Sequence, residues 1–557
     1  MDWARQLIMS TTRETARRES AESSEAGGSA DGAATAPESS VWRETAFVWI
    51  LALLSLFLHL ATASRYEFYI DELYGIVSSN HSLACCAEIF PLQLWLTRLS
   101  TCLLGCSPFA VRLLPAVAGS ANILVAGLLA RELGGKLFAV SLTGLGVFVA
   151  PMLVFVAGSA YAWSYEGLLW SLSAMLVVRA LRTGNGRLWW LVGMAWGFSL
   201  LNKPTALLFI LGVGFGLLAT RARGEILRKG YWLALAVAFV LSSPVWIWQA
   251  AHGWPVFGAI GGMSSDEYAE SASWLAYFSR SKMILAQPAF LGPLNFVLAV
   301  AGVFYGLVFG RETASRVFLW ACVAAALAFV AVSGHPSYLN PLYALLVASG
   351  CVAAARISAG KRVRWMRPAL VAGLVVQGLV IAPLCVSILP KGLLDGYSRL
   401  ICRGMLAPLS NTAAILLGTD ASDYEIWAGK LHGACGTLPA GGKTNCCIIV
   451  GYAPFAFAAE FYDAQYRYRL PRVFSPHLNC AFWGPPDEGT ELVIAFFFNR
   501  KELEGWFGRV EPAGKTDEGI YICRIPKCTY QKMWQEMCNK DPAFRWKVER
   551  GPWTGVA

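Results

Sequence analysis

The chain has 557 residues, of which 56% are hydrophobic and 15% charged, and its mean hydropathy is +0.49. Soluble globular proteins carry roughly a quarter charged residues, so this composition excludes that class and indicates an integral membrane protein. The formal charge of +10 calls for no nucleic-acid partner, because surplus Lys and Arg in a polytopic protein collects in cytoplasmic loops.

Taken in order, Met1 to Trp42 is rich in Ser, Ala, Gly and Glu, and residues 1–45 read as a disordered cytoplasmic tail. The tail has no apolar core ahead of a small-residue cleavage site, so the first apolar helix, Ala46 to Ser64, is expected to stay in the mature protein. A large first external loop covers 65–106, with Leu92 to Leu104 amphipathic enough for an interfacial helix. Further stretches of the roughly twenty apolar residues that a bilayer core requires follow at Ala110–Ala130, Leu137–Val156, Trp163–Ala180, Leu188–Leu201 and Pro204–Thr220. The series continues at Tyr231–Gln249, Ala289–Phe309, Val317–Val332, Tyr338–Ala355 and Ala369–Leu389, about eleven transmembrane spans in all.

Basic residues fall in alternate connections: Arg131 and Lys136, then Arg179, Arg182 and Arg187, then Arg221 to Lys229, then Arg311 and Arg316, then Arg356 to Arg367. By the positive-inside rule these loops are cytoplasmic. The first loop, Ala250 to Pro288, the Gly334-His335 turn and everything after Pro390 then face outward. Over 391–557 the composition turns soluble, and apolar strand-like runs (Cys446–Val450, Leu492–Phe498, Ile520–Ile525) alternate with helix-like ones, which predicts a small α/β domain. The expected fold is therefore an all-α polytopic membrane protein over 46–390 followed by an extracytoplasmic α/β domain. Of the 15 cysteines, eight lie after Lys391 and four (Cys85, Cys86, Cys102, Cys106) in the first loop. An outward location permits disulfides there, and small buried hydrophobes are the alternative.

The residues that carry chemistry start with Asp71 and Glu72, two adjacent acids just past the first span. Acids at a bilayer edge are costly unless used, although a solvated helix end is the plainer reading of such a pair. Glu88 returns a third carboxylate to the same loop. Lys203 places a cation at the outward end of two spans, against the positive-inside trend, and Arg280, Lys282 and His335 fall on the same face. Carboxylates and cations converging at one interface suit a base beside a phosphate.

These residues sit in a recognisable order of motifs. Tyr69-Ile70-Asp71-Glu72-Leu73-Tyr74, Glu88-Ile89-Phe90-Pro91-Leu92, Ala110-Val111-Arg112-Leu113-Leu114-Pro115-Ala116 and Ala130-Arg131-Glu132-Leu133-Gly134-Gly135 come first. Leu200-Leu201-Asn202-Lys203-Pro204-Thr205, Pro244-Val245-Trp246-Ile247-Trp248-Gln249, His252-Gly253-Trp254-Pro255 and Tyr338-Leu339-Asn340-Pro341-Leu342-Tyr343 follow. From Ala46 to Leu389 the chain resembles the bacterial membrane glycosyltransferases related to protein O-mannosyltransferases and the lipid A aminoarabinose transferase. Gly451-Tyr452-Ala453 and Phe482-Trp483-Gly484 extend the likeness weakly. Phe90-Pro91-Leu92 departs from the Pro-Pro-Leu usual in relatives.

The resemblance implies the GT-C fold, a polyprenyl-phosphate sugar as donor, and a glycan, lipid or protein as acceptor, all at a multi-pass cell membrane. It implies Asp71 as catalytic carboxylate, with Glu72 beside it and Glu88 as a second acid. Lys203, the Arg280 and Lys282 region and His335 would contact the donor phosphate. No cofactor is required, and a divalent metal between Asp71 and Glu88 is open.

Three signals are set aside. Gly212, Gly214 and Gly216 lie within a span, where small residues let helices approach. His59 in the first span reads as a satisfied packing residue, and Asn479-Cys480-Ala481 is no glycosylation acceptor. The competing classes are a transporter or lipid flippase, which would place charges near the bilayer midplane, and a binding module on an inactive enzyme.

Overall fold

The structure is a computed structural model and describes residues 38–84, 89–256, 280–332, 336–410, 421–436, 445–513 and 519–540. The tail expected over 1–45 lies mostly outside these, as do Cys85, Cys86, Glu88 and His335.

Each apolar stretch read from the sequence is helical. The membrane part runs α1 (Glu38–Thr62), α2 (Ile70–His81), α3 (Pro91–Leu104), α4 (Pro108–Glu132), α5 (Leu137–Phe148), α6 (Pro151–Ala157), α7 (Ala162–Thr183) and α8 (Leu188–Asn202). It continues with α9 (Ala206–Leu218), α10 (Lys229–Ala251), α11 (Arg280–Leu285), α12 (Gln287–Leu291), α13 (Pro293–Val308), α14 (Thr313–Val332), α15 (Asn340–Ile357) and α16 (Met366–Cys385). Among the described residues six helices are long and apolar enough to cross a bilayer, and nine if each bent pair is one span. The two other stretches are α7, which carries Glu166, Arg179 and Arg182, and the shorter α8.

The bends have local causes. Between α5 and α6 the axis turns by 65° just before Pro151, where a proline disfavours helical backbone in the residue ahead of it. The turn of 112° ahead of α13 falls at Gly292 and Pro293, with Gly292 at φ +92°, a conformation that glycine adopts without a Cβ penalty. Tight packing joins the helices elsewhere. An added Cβ at Gly212 would stand 2.6 Å from the Ala321 carbonyl on α14, and one at Gly216 would stand 2.4 Å from that of Val317. The three-glycine run in α9 is thus partly a helix-packing face, as the sequence suggests. The span containing α15 is 78% buried and forms the centre of the bundle, whereas Phe57, Val240 and Leu379 are exposed and present an apolar flank suited to lipid.

An amphipathic helix, α17 (Lys391–Ile401), follows the last span. The C-terminal domain, expected to face outward, then runs α18 (Ala421–Gly436), β1 (Cys446–Val450), α19 (Ala453–Tyr466), β2 (Val473–Phe474), β3 (Leu492–Phe496), α20 (Arg500–Trp506), β4 (Phe507–Pro512), β5 (Ile520–Pro526) and α21 (Tyr530–Lys540). Its sheet has the order β2-β1-β3-β5-β4, parallel from β2 to β3 and antiparallel beyond. The three strand-like runs of the sequence are β1, β3 and β5. Both edge strands went unread, β2 because it has two residues and β4 because only two of its six, Phe507 and Val510, are buried. Cys102, Cys106, Cys402, Cys446, Cys447, Cys523 and Cys528 are free thiols, and Cys447 and Cys523 pack in the apolar core beneath the sheet.

The C-terminal domain docks on the first loop. Leu73, Tyr74 and Val77 of α2 share a buried apolar cluster with Phe457, Phe461 and Tyr462 of α19, and the Tyr74 and Phe457 rings stack at 4.4 Å. The helix that opens with Asp71 is therefore held between the helical bundle and the C-terminal domain.

Candidate active site

The sequence reading puts no helix between Arg65 and Leu92, yet Asp71 and Glu72 lie in the first turn of α2. A helix N-terminus favours acids through its unpaired N–H groups and dipole. Successive residues of a helix point about 100° apart, so the two carboxylates cannot share one environment.

Glu72 turns inward and is 1% exposed. Arg112 of α4 grips it with two bonds, Nε to Oε1 at 2.9 Å and Nη2 to Oε2 at 2.7 Å. The Tyr69 N–H donates to Oε2 at 3.0 Å and the Ala160 N–H to Oε1 at 3.1 Å. The other N–H groups of Arg112 donate to the carbonyls of Ala63 (2.5 Å), Tyr66 (3.0 Å) and Glu67 (2.6 Å), so all five donors are used. A desolvated ion pair is tolerable only when its remaining hydrogen-bonding capacity is met in this way. The clamp ties together the end of α1, the start of α2, α4 and the turn before α7.

Asp71 keeps part of its surface accessible and forms no ion pair among the described residues. Desolvation raises its carboxyl from the usual range to about 6; a hydrogen bond from the Tyr69 side chain opposes the rise, and the Glu72 charge adds to it. Burial and the Asp71 charge in turn keep the Tyr69 phenol protonated.

Lys203 follows the last residue of α8 in extended backbone, φ −164° and ψ 136°, as the proline at 204 requires of its predecessor. Its ammonium stands 4.7 Å from the Trp163 ring centre and 4.5 Å from that of Tyr338, within cation–π range of both. Desolvation lowers it to about 8, against the opposing pull of the Glu166 carboxylate. Glu166, 1% exposed, accepts a hydrogen bond from Thr205.

One turn joins the two halves. Over 158–163, the turn after α6 and the start of α7, Ala160 donates to Glu72 and Trp163 lies against Lys203. Tyr161 and Trp163 meet edge to face at 4.9 Å. This one segment thus touches both the Glu72 clamp and the aromatic setting of Lys203. Arg280 and Lys282 lie in α11, which packs beside the Pro336–Leu339 turn that carries Tyr338; their side chains, with Glu88 and His335, are outside the described residues. Among the described residues no three His, Cys, Asp or Glu side chains form a metal-binding group. His59 points elsewhere, its ring nitrogens 2.7 Å from the Ser55 carbonyl and 2.9 Å from that of Val154, the satisfied packing role expected of it.

Sequence reasoning missed Arg112, Glu166 and the aromatic bracket. A signal existed for the charged pair: each is a lone charge inside an apolar run near its outward end, a costly placement that implies a partner. The bracket left no such trace, because Trp163 and Tyr338 resemble any residue of an interfacial belt.

A helical membrane domain joined to a C-terminal α/β domain is an architecture also found among known proteins. Residues 89–248 match the family described as dolichyl-phosphate-mannose-protein mannosyltransferase. The fold is that of ArnT from Cupriavidus metallidurans. Its apo crystal structure aligns with a TM-score of 0.53 at 14% identity, covering 86% of this chain and 98% of that one. The form bound to undecaprenyl phosphate gives 0.53 at 15% identity, over 87% and 99%. The oligosaccharyltransferase AglB from Archaeoglobus fulgidus, in complex with an inhibitory peptide and a dolichol-phosphate, aligns at 0.49 and 13% identity over 90% of this chain and 77% of that one. No curated protein sequence matches. At these identities the likeness is one of fold: the chain has the GT-C-type architecture of a helical membrane domain followed by an α/β domain.

Proposed function

We propose that this protein transfers a sugar from a polyprenyl-phosphate donor to an acceptor outside the cytoplasm, with Asp71 as general base. The observation that carries the reading is the division of labour between two neighbouring acids: Glu72 is consumed by Arg112, while Asp71 stays accessible and poised near neutrality. Undecaprenyl phosphate bound to ArnT, which shares the fold, supports the donor class.

In this mechanism the acceptor hydroxyl gives its proton to Asp71 as its oxygen attacks the anomeric carbon. The bond from that carbon to the phosphate oxygen breaks, its electron pair leaves with the polyprenyl phosphate, and in-line displacement inverts the anomeric centre. A base with pKa near the working pH contributes roughly 10²- to 10⁴-fold. The leaving group passes from phosphodiester to monoester and gains negative charge, which a preorganised cation stabilises as it develops. Lys203 supplies that cation, and the Arg280 and Lys282 segment and His335 extend the phosphate site. Glu72 and Arg112 fix the first turn of α2 so that Asp71 faces the acceptor, and Glu88 lies in the same loop. No step calls for a metal.

The test compares sugar transfer from a labelled polyprenyl-phosphate pool in membranes containing the intact chain or Asp71→Asn at matched expression. A loss of at least about a hundredfold is expected. Equal transfer by both would reduce Asp71 to a solvated helix end.

A further inference from the structure

At the other end of α2, His81 closes a cleft in the outer domain. The cleft has a volume of about 180 Å³ and is walled by His81, Glu460, Asp463, Arg472, Phe474 and Trp483. That is below the roughly 300–1,000 Å³ of sites for drug-sized ligands and suits one small ring.

Its chemistry is mixed. His81 Nε2 lies 2.7 Å from Glu460 Oε1, and its ring stacks on Trp483 at 3.8 Å and 11°, which pins the membrane part to the outer domain. Asp463 spends one oxygen on the Leu470 N–H at 2.9 Å. Arg472 lies 4.9 Å over the Phe474 ring and, among the described residues, pairs with neither nearby carboxylate. The cleft therefore offers guanidinium donors and carboxylate acceptors together above an apolar floor. An anion would meet two acids and a cation would meet Arg472. A sugar ring, whose vicinal hydroxyls both donate and accept while its C–H face is apolar, matches both parts. The outer edge of β2 lies along the same wall, since β2 pairs only with β1.

We infer that this cleft is an acceptor subsite that holds a sugar ring, and that the acceptor is accordingly a glycan chain. The inference rests on the transferase reading above. From Asp71 to His81 the helix rises about 15 Å, so the ring held here is not the reacting one but another of the same chain. Remote contacts of this kind contribute binding energy that positions the reacting hydroxyl.

The experiment uses membranes containing the full-length chain and a labelled polyprenyl-phosphate sugar pool, following label into product and into free sugar released to water. Arg472→Ala, at an exposed position, and Glu460→Gln are each expected to lower transfer to product roughly tenfold, as loss of a 1.4 kcal/mol contact would. Release to water, which needs only the donor site, should hold at the intact chain's level and so report correct folding. The product of the intact chain should resist protease and yield label on a saccharide of several sugars. Transfer by both variants at the intact rate, or label recovered on a peptide, overturns the cleft's role and leaves the transferase standing. An intact chain that moves no label overturns the transferase reading and the subsite with it.

Discussion

The paired titration of Asp71 and Lys203 gives the most demanding prediction. In the proposed mechanism transfer needs Asp71 ionised and Lys203 charged, and the two groups sit at about 6 and about 8, so the rate at subsaturating donor should be bell-shaped between those values. With Asp71 at about 6, its ionised fraction falls about tenfold between pH 7 and pH 5, and the rate should fall by the same factor. Above pH 8 the rate should drop as Lys203 loses its proton. Lys203→Arg identifies the alkaline limb: a guanidinium stays charged throughout, so the limb should disappear while the acid limb remains, whatever rate is lost to altered geometry. Glu166→Gln removes the charge that raises the Lys203 value and should move the alkaline limb to lower pH. The assay is initial transfer of labelled sugar across pH 4.5 to 9.5, with each sample returned to pH 7 to confirm that activity recovers. A flat profile from pH 5 to 7, or an alkaline limb that survives Lys203→Arg, would refute this assignment of roles.

Three further outcomes follow from the packing. Because Asp71 holds its proton more tightly folded than unfolded, its contribution to stability is complete below about pH 4 and is lost as pH rises through 6, by at most about 3 kcal/mol; Asp71→Asn should therefore unfold at a higher temperature than the intact chain at pH 7 while being inactive, and an unchanged or lower temperature would contradict the burial argument. Arg112→Leu leaves the Glu72 carboxylate buried with only two backbone partners and should cost about 3–5 kcal/mol. The double variant Glu72→Leu with Arg112→Leu should recover much of that loss without recovering activity, as read by thermal unfolding beside transfer. Gly216→Leu drives a side chain into the Val317 carbonyl and should destabilise by about 1–3 kcal/mol or more, where the exposed Gly224→Leu, with open space around it, should not.

The amino-acid sequence by itself determined the membrane class, the order of the apolar helices and the α/β character of the C-terminal part, because each depends on local composition or short-range periodicity. It also singled out Asp71 and Lys203 as candidates, since charges at the ends of apolar segments stand out wherever the chain goes next. Tertiary structure alone decided the different settings of the adjacent acids: α2 turns them apart, and Arg112, forty residues on, pairs with buried Glu72 while Asp71 stays partly exposed. Lys203 likewise gains its setting from Trp163 and Tyr338, residues distant in sequence that meet only when α7, α8 and the turn before α15 pack together. Such assignments follow from burial and from pairing across long sequence separations, which no local pattern encodes.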